Sequence, residues 1–214
     1  MRNGLLFFVG LFAALVFSWA GVVLWPNQQL ARLAPLFDEN EGKAFPLRAP
    51  GLAAQGQQVY ADLGCAVCHT QQVRRPGFGA DKERGWGEHQ SVARDYIYQT
   101  RVHLGESRVG PDLANAGGRK APYDEEDLLK LLYAGAGGMP SYKFLFEQRS
   151  IANRQPSDHA LPLYGNLTPP VGQEVVPTHR ARALVAYLLS LKQTYEYPEA
   201  RPVEPAAPKE PEKQ

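Results

Sequence analysis

Cys65-Ala66-Val67-Cys68-His69 is the stretch on which the reading of this chain turns. Two thiols three positions apart can each reach one vinyl group on the same edge of a porphyrin. The residue that follows, His69, is then placed to turn its imidazole toward the iron. C-x-x-C-H is the attachment pattern of c-type haem, so the cofactor expected is one covalent haem c. Cys65 and Cys68 are the only cysteines in the 214 residues, which excludes a disulfide-rich scaffold and a four-cysteine zinc site. Two other uses of a C-x-x-C pair remain to be weighed. A redox dithiol needs a βαβ setting, and the flanking sequence has none. A zinc site needs two further ligands, and His89 and His103 leave that reading open.

Haem iron needs a sixth ligand or an open site. The chain has two methionines, and Met1 stands at the start of an apolar run, so Met139 is the thioether available. It lies in Gly137-Gly138-Met139-Pro140, a loop whose glycines permit close approach to a flat cofactor. A thioether ligand raises the haem potential, as suits an electron carrier; the alternative is a gap-filling core methionine. His89, His103, His159 and His179 are the rival ligands. For the iron-bound His69, the Pro111 carbonyl in Gly110-Pro111-Asp112-Leu113 is a candidate acceptor for the second ring nitrogen; otherwise this is an ordinary turn. Arg75, Arg108 and Arg119 are candidate partners of the haem propionates, or solvated surface charges. Trp86 and Tyr142 are candidate donors near the propionates or the methionine loop, or core aromatics.

The elements around the motif read as mainly α. Apolar spacing at Gly56, Val59, Tyr60 and Leu63 predicts a helix over 52–69. Residues 70–122 show no long period. Asp124 to Ala134 reads as a second helix with an acidic first turn, stopped by Gly135. That dipole placement accounts for the acidic run without a catalytic role. Residues 147–177 read as irregular. Thr178 can cap a third helix reaching Gln193, with Ala181, Leu184, Val185, Leu188 and Leu191 on its apolar face. Tyr60 and Tyr187 are placed to pack where the first and last helices cross.

Farther out, Gly4 to Trp25 carries no charge. As a helix it measures ~33 Å, enough for the hydrocarbon core of a bilayer, and Trp19 and Trp25 suit an interface. A cleaved signal peptide is the rival, with Arg2 as its basic start and Ser18-Trp19-Ala20 as its cleavage site. The apolar run continues past that site, which favours a retained anchor. Pro26 is expected to end the helix. The organisation expected is an anchor over 1–26, a connector over 27–51, a haem domain over 52–197 and a disordered tail over 198–214, too poor in large apolar residues to order itself. There is no internal repeat. With 23 basic and 22 acidic residues, the net charge is +1, which argues against nucleic-acid binding.

The order of parts over 52–193 (haem helix, GPDL turn, helix, Met-Pro loop, terminal helix with YLLSLK) resembles a class I cytochrome c. A narrower likeness comes from GCAVCHTQQVRRP, ERGWGEHQSVARDYIYQ, RVGPDLANAGGR and MPSYKFLF in that order, with the apolar amino terminus and Ala34 to Phe37 (APLF) before them. This set resembles the mono-haem cytochrome c subunit of cbb3-type cytochrome c oxidases. Gln72 stands where that family often has methionine, and 147–177 is a longer insertion before the last helix.

The resemblance implies crossed first and last helices, a Pro111 carbonyl accepting from His69, and iron ligation by Met139. It also implies a single-pass protein of a bacterial inner membrane with its haem domain in the periplasm. Its partners would be the haem–copper oxidase catalytic subunit, other cytochrome c subunits, and an upstream quinol-oxidising complex or donor cytochrome. Its role would be to relay single electrons, without catalysis of its own. The competing readings are a free-standing tethered carrier, and a haem enzyme or gas sensor with an open iron site.

Overall fold

The computed structural model describes residues 2–151 and 155–201. The chain divides into two compact units: Met1–Pro46 with Ala93–Thr100, and Leu47–Val92 with Arg101–Gln214.

In the first unit, α1 (Arg2–Trp19) runs through a π-helical turn (Ala20–Leu24) into α2 (Trp25–Leu30). The helical stretch Asn3–Leu30 contains an 18-residue window with a mean hydropathy of 2.3, none of it buried. It is long and apolar enough to cross a membrane. Pro26 does not end the helix as expected; helical structure continues to Leu30. Proline lacks an N–H and its ring crowds the carbonyl four residues back. Here the wider π turn comes directly before it, and Pro26 falls in the first turn of α2, where no intrahelical donor is required.

The segment expected as a plain connector holds a small hairpin, β1 (Leu36–Asp38) against β2 (Lys43–Phe45). Asp38 Oδ1 closes its turn by accepting from the Asn40 amide at 2.8 Å. Arg94, in the short 3₁₀ turn Ala93–Tyr96, donates to the Ala34 carbonyl.

The second unit is built on α3 (Gly51–Asp62) and α6 (His179–Ser190), which cross. Ala53, Gly56, Val59 and Tyr60 form the buried face of α3. At the crossing, a Cβ on Gly56 would stand 1.8 Å from the Ala183 carbonyl oxygen, so only glycine permits this approach. Tyr60 and Tyr187 meet there edge to face, as the spacing predicts. Thr178 caps α6: its hydroxyl accepts from the Ala181 amide at 3.3 Å and donates to the Leu145 carbonyl at 2.7 Å. The helix ends at Ser190, short of the expected Gln193, because Leu191 turns extended.

The helix expected over 52–69 is broken in two. Gly64 adopts a left-handed conformation (φ 68°) and starts a separate turn, α4 (Cys65–Cys68). α5 (Glu125–Ala134) has Asp124 at its cap, accepting from the Asp127 amide at 2.7 Å, and ends at Gly135 (φ 73°). Leu128, Leu129 and Leu132 join Leu184, Val185 and Leu188 in the core.

Residues 147–177, expected to be irregular, contribute a hairpin. β3 (Phe146–Ser150) pairs antiparallel with β4 (Gln173–Pro177), from Phe146 opposite Pro177 to Ser150 opposite Gln173. Only Phe146 of β3 is buried, so this strand has no period-two pattern to read. The tail is ordered slightly past its expected start: Pro198–Ala200 forms a 3₁₀ turn with Ala200 buried. The remainder of that expectation, 202–214, lies outside the described residues.

Candidate haem-binding site

The site is assembled by one loop wrapped on the cysteine motif. Residues 104–113 follow residues 66–71 through backbone hydrogen bonds: Gln71 N–H to Leu104 O (3.1 Å), Glu106 to Ala66 (3.0 Å), Gly110 to Cys68 (2.9 Å) and Leu113 to Thr70 (2.7 Å). Gly105, at φ 94°, lets the loop pass His69 and Thr70; a Cβ there would lie 2.5 Å from the Thr70 Cα.

This ladder delivers two neighbours to His69. Its Nδ1–H donates to the Pro111 carbonyl at 2.9 Å. A carbonyl can only accept, so this bond selects the tautomer and leaves Nε2 unprotonated, the form of imidazole that can bind a metal. Gly110 lies flat against the ring: a Cβ there would stand 2.3 Å from Cε1 and 2.6 Å from Nδ1. From α3, the Tyr60 hydroxyl donates to the His69 carbonyl at 3.2 Å.

Cys65 is half-buried and Cys68 exposed, both as free thiols. Burial pushes the Cys65 thiol up to about 11. Around them the apolar side chains Val67 (50% exposed) and Val109 (79% exposed) face outward. An apolar fringe beside two free thiols and an oriented imidazole fits a haem, which would cover it.

Met139 approaches from the end of α5. Gly135 turns the chain, and a Cβ on it would lie 2.6 Å from the Met139 carbonyl oxygen. The Met139 amide donates to Ala136 O and the Tyr142 amide to Leu132 O, each at 2.8 Å. Met139, Cys65, Ala66 and Tyr142 pack on the same hydrophobic core. Burial is the main cause that raises the Tyr142 phenol, and the methionine loop and the cysteine motif share one core.

Of the other four imidazoles, three have partners of their own and the fourth is exposed. His103 is buried edge-on against Tyr60 at 5.5 Å, and burial together with Arg101 lowers its pKa. His89 packs between Tyr195 and Tyr197 at 5.4 and 5.5 Å. His179 Nε2 is 2.7 Å from Gln55 Oε1, and His159 is exposed. Among the described residues, no group of three His, Cys, Asp or Glu side chains is arranged to hold a metal ion. The haem reading needs no such group; the zinc reading does.

The arginines go to different places. Arg75 is exposed, with its guanidinium 4.0 Å from the centre of the Phe78 ring. Trp86 lies beneath Arg84 at 4.8 Å. Arg119 donates to the Asp112 carbonyl. Arg108 points inward: Nη1 donates to Asp81 Oδ2 at 2.9 Å, and Nη2 donates to the Gln72 carbonyl and lies 3.7 Å from Asp112 Oδ2. Arg74 also grips Asp81, at 2.8 Å. Burial would raise the Asp81 carboxyl, but the hydrogen bonds from Arg74 and the charge of Arg108 outweigh it and hold the group below its usual range. Sequence reasoning missed Asp81 and Asp112. The Asp of the GPDL turn was the available signal; nothing local marks Asp81.

A comparison with curated proteins returns no match. A family model described as "Cytochrome C oxidase, mono-heme subunit/FixO" matches residues 15–164. The matched stretch contains the cysteine motif, the loop that orients His69, and Met139, and ends before β4 and α6. Because it spans well over half of the sequence, the chain belongs to the FixO family, the mono-haem subunits of cbb3-type cytochrome c oxidase.

Proposed function

We propose that this chain relays single electrons to the catalytic subunit of a haem–copper oxidase, through one haem bound covalently at Cys65 and Cys68. His69 and Met139 are the axial ligands in this reading. When bound, the haem supplies a one-electron iron couple. The chain's own residues set the conditions for its use. Pro111 holds the tautomer of His69, and Gly110 leaves room for the ring. The Gly137–Pro140 loop brings the thioether. The core beneath Cys65 and Met139 keeps water from that side. Two protein ligands held from separate rigid elements limit rearrangement between oxidation states, and a filled sixth position leaves no site for substrate chemistry on this subunit.

The single observation that carries this reading is the 2.9 Å bond from His69 Nδ1 to the Pro111 carbonyl, with Gly110 against the ring. It prepares one imidazole, next to two free thiols, for a metal. Arg75 is the exposed cation left for a propionate; Arg108 has its terminal nitrogens turned to buried carboxylates.

In this reading the apolar helix anchors the chain in a bacterial inner membrane with the haem domain in the periplasm. Electrons arrive from a quinol-oxidising complex or a donor cytochrome, and other cytochrome c subunits share the complex. Purification of the tagged chain from membranes in mild detergent tests this. Haem b and copper should co-purify, with haem c covalent on a denaturing gel. A chain that runs alone with haem c only would make it a free-standing carrier.

A further inference from the structure

Two carboxylates, Asp81 and Asp112, are fully buried in the haem unit, and the electron-relay reading uses neither. Burying a carboxylate costs several kcal/mol unless it is paired and hydrogen-bonded, so its location asks for a reason. Asp112 has one in its neighbours. Its Oδ1 accepts from the Ala114 amide at 2.9 Å, which shapes its own turn. Its Oδ2 accepts from the Gln72 amide at 2.8 Å and from the Thr70 hydroxyl. Thr70 follows His69, and Asp112 follows Pro111. The carboxylate therefore ties the residue after the imidazole to the residue after the carbonyl that the imidazole bonds. Leu113 N–H to Thr70 O at 2.7 Å joins the same two segments, and Gly110 N–H to Cys68 O at 2.9 Å joins the residues that precede His69 and Pro111. Arg108 then fixes Asp112 from behind, joining it to Asp81 and to the Gln72 carbonyl.

We propose that Asp112, acting through Thr70, is a positioning residue for the haem ligand: it sets the approach of the Pro111 carbonyl to His69 Nδ1 and thereby the donor strength of the imidazole. The proposal rests on His69 being the axial ligand. An imidazole whose Nδ1–H is held by an acceptor is a stronger donor at Nε2. Stronger donation favours ferric iron and lowers the reduction potential. Loosening the tie therefore raises the potential. Arg108 serves the same arrangement through its contacts to Asp81, Asp112 and the Gln72 carbonyl.

The test uses the full-length holoprotein in detergent. Thr70→Val removes the hydroxyl that Asp112 accepts from, without changing charge or size. Thr70→Ser restores it. Redox titration should show Thr70→Val raised by at least a threefold change in the one-electron equilibrium constant, with Thr70→Ser like wild type. The electron paramagnetic resonance g-values of the oxidised haem should move in Thr70→Val and not in Thr70→Ser, with covalent haem retained in both. Should Thr70→Val fail to mature, Thr70→Ala carries the same comparison. A wild-type potential and g-values in the hydroxyl-less variant, with covalent haem intact, would overturn the positioning role while leaving the ligand assignment in place. A wild-type protein whose haem spectrum excludes a histidine ligand would remove the ligand assignment and the proposal together.

Discussion

Tyr60 of α3 and Tyr187 of α6 meet edge to face with ring centres 5.4 Å apart, and both phenols are buried at the helix crossing. Burial raises both above the ordinary tyrosine value, Tyr187 up to about 12, although hydrogen bonding with Gln71 works against the shift in each. A phenol whose folded pKa is raised is favoured in its neutral form. Its contribution to stability is whole below the unfolded value of 10.0 and is lost as pH rises toward the folded one. The haem unit is therefore expected to lose stability from about pH 10 upward. Denaturant unfolding at stepped alkaline pH measures this. Tyr187→Phe should flatten the alkaline slope while costing about 1 kcal/mol near neutrality, through the lost bond to Gln71 Oε1 at 3.0 Å.

The same crossing makes Gly56 intolerant. A methyl group there would overlap the Ala183 carbonyl oxygen at 1.8 Å and the Tyr187 Cβ at 2.7 Å. Backbone is the obstacle, so the helices must part. Gly56→Ala is expected to destabilise the haem unit by about 3 kcal/mol, at the upper end of overpacking costs. A lowered thermal midpoint in the holoprotein checks this, with Gly4→Ala, which meets nothing within 4 Å, as the control.

How far these features could be read from sequence depended on whether their cause is local. Thr178, Asp124 and Gly135 act within a turn of their helices, and each does what its residue type predicts. The C-x-x-C-H spacing is equally local. Gly64 was legible as a glycine but not as a break, because its left-handed backbone is set by how the cysteine turn leaves α3. The β3–β4 pairing joins segments far apart in sequence, and β3 buries a single residue. A proline ends most helices; at Pro26 the π turn before it changes the outcome. Arg108 was legible as a cation near the site. Its direction depended on Asp81, 27 positions away, and no spacing rule connects them.

Gly110 offers a sharper probe of the site than its neighbours. A Cβ at 2.3 Å from His69 Cε1 displaces the imidazole or the Pro111 turn. Gly110→Ala is expected to lower the yield of covalent haem protein several-fold and to alter the spectrum of what matures. Haem staining normalised to protein, with absorbance spectra of the purified variant, gives the measurement. An unchanged yield and spectrum would mean that His69 is free to move, contrary to its packing.

Removing the thiols tests attachment apart from ligation. Cys65→Ala with Cys68→Ala should abolish haem staining on a denaturing gel while the chain remains in the membrane fraction, because the helix Asn3–Leu30 does not depend on the motif. Staining that survived the double change would place the haem linkage elsewhere.

Met139 is the proposed ligand whose assignment depends most on tertiary structure. Its loop is closed on itself by the Met139 amide to Ala136 O and tied back to α5 by the Tyr142 amide to Leu132 O, and it shares the core with Cys65. Met139→Ala leaves those backbone bonds in place and removes only the thioether. If the thioether is the sixth ligand, iron loses a weak donor that favours the ferrous state, so the reduction potential falls. The vacated position should then bind carbon monoxide in the reduced protein at neutral pH, as wild type does not. Redox titration and carbon monoxide difference spectra read the two effects separately. A variant that keeps the wild-type potential and stays closed to carbon monoxide would assign the ligand to another side chain. His103 would be the first to test by the same substitution, because it packs on Tyr60, whose hydroxyl already bonds the His69 carbonyl.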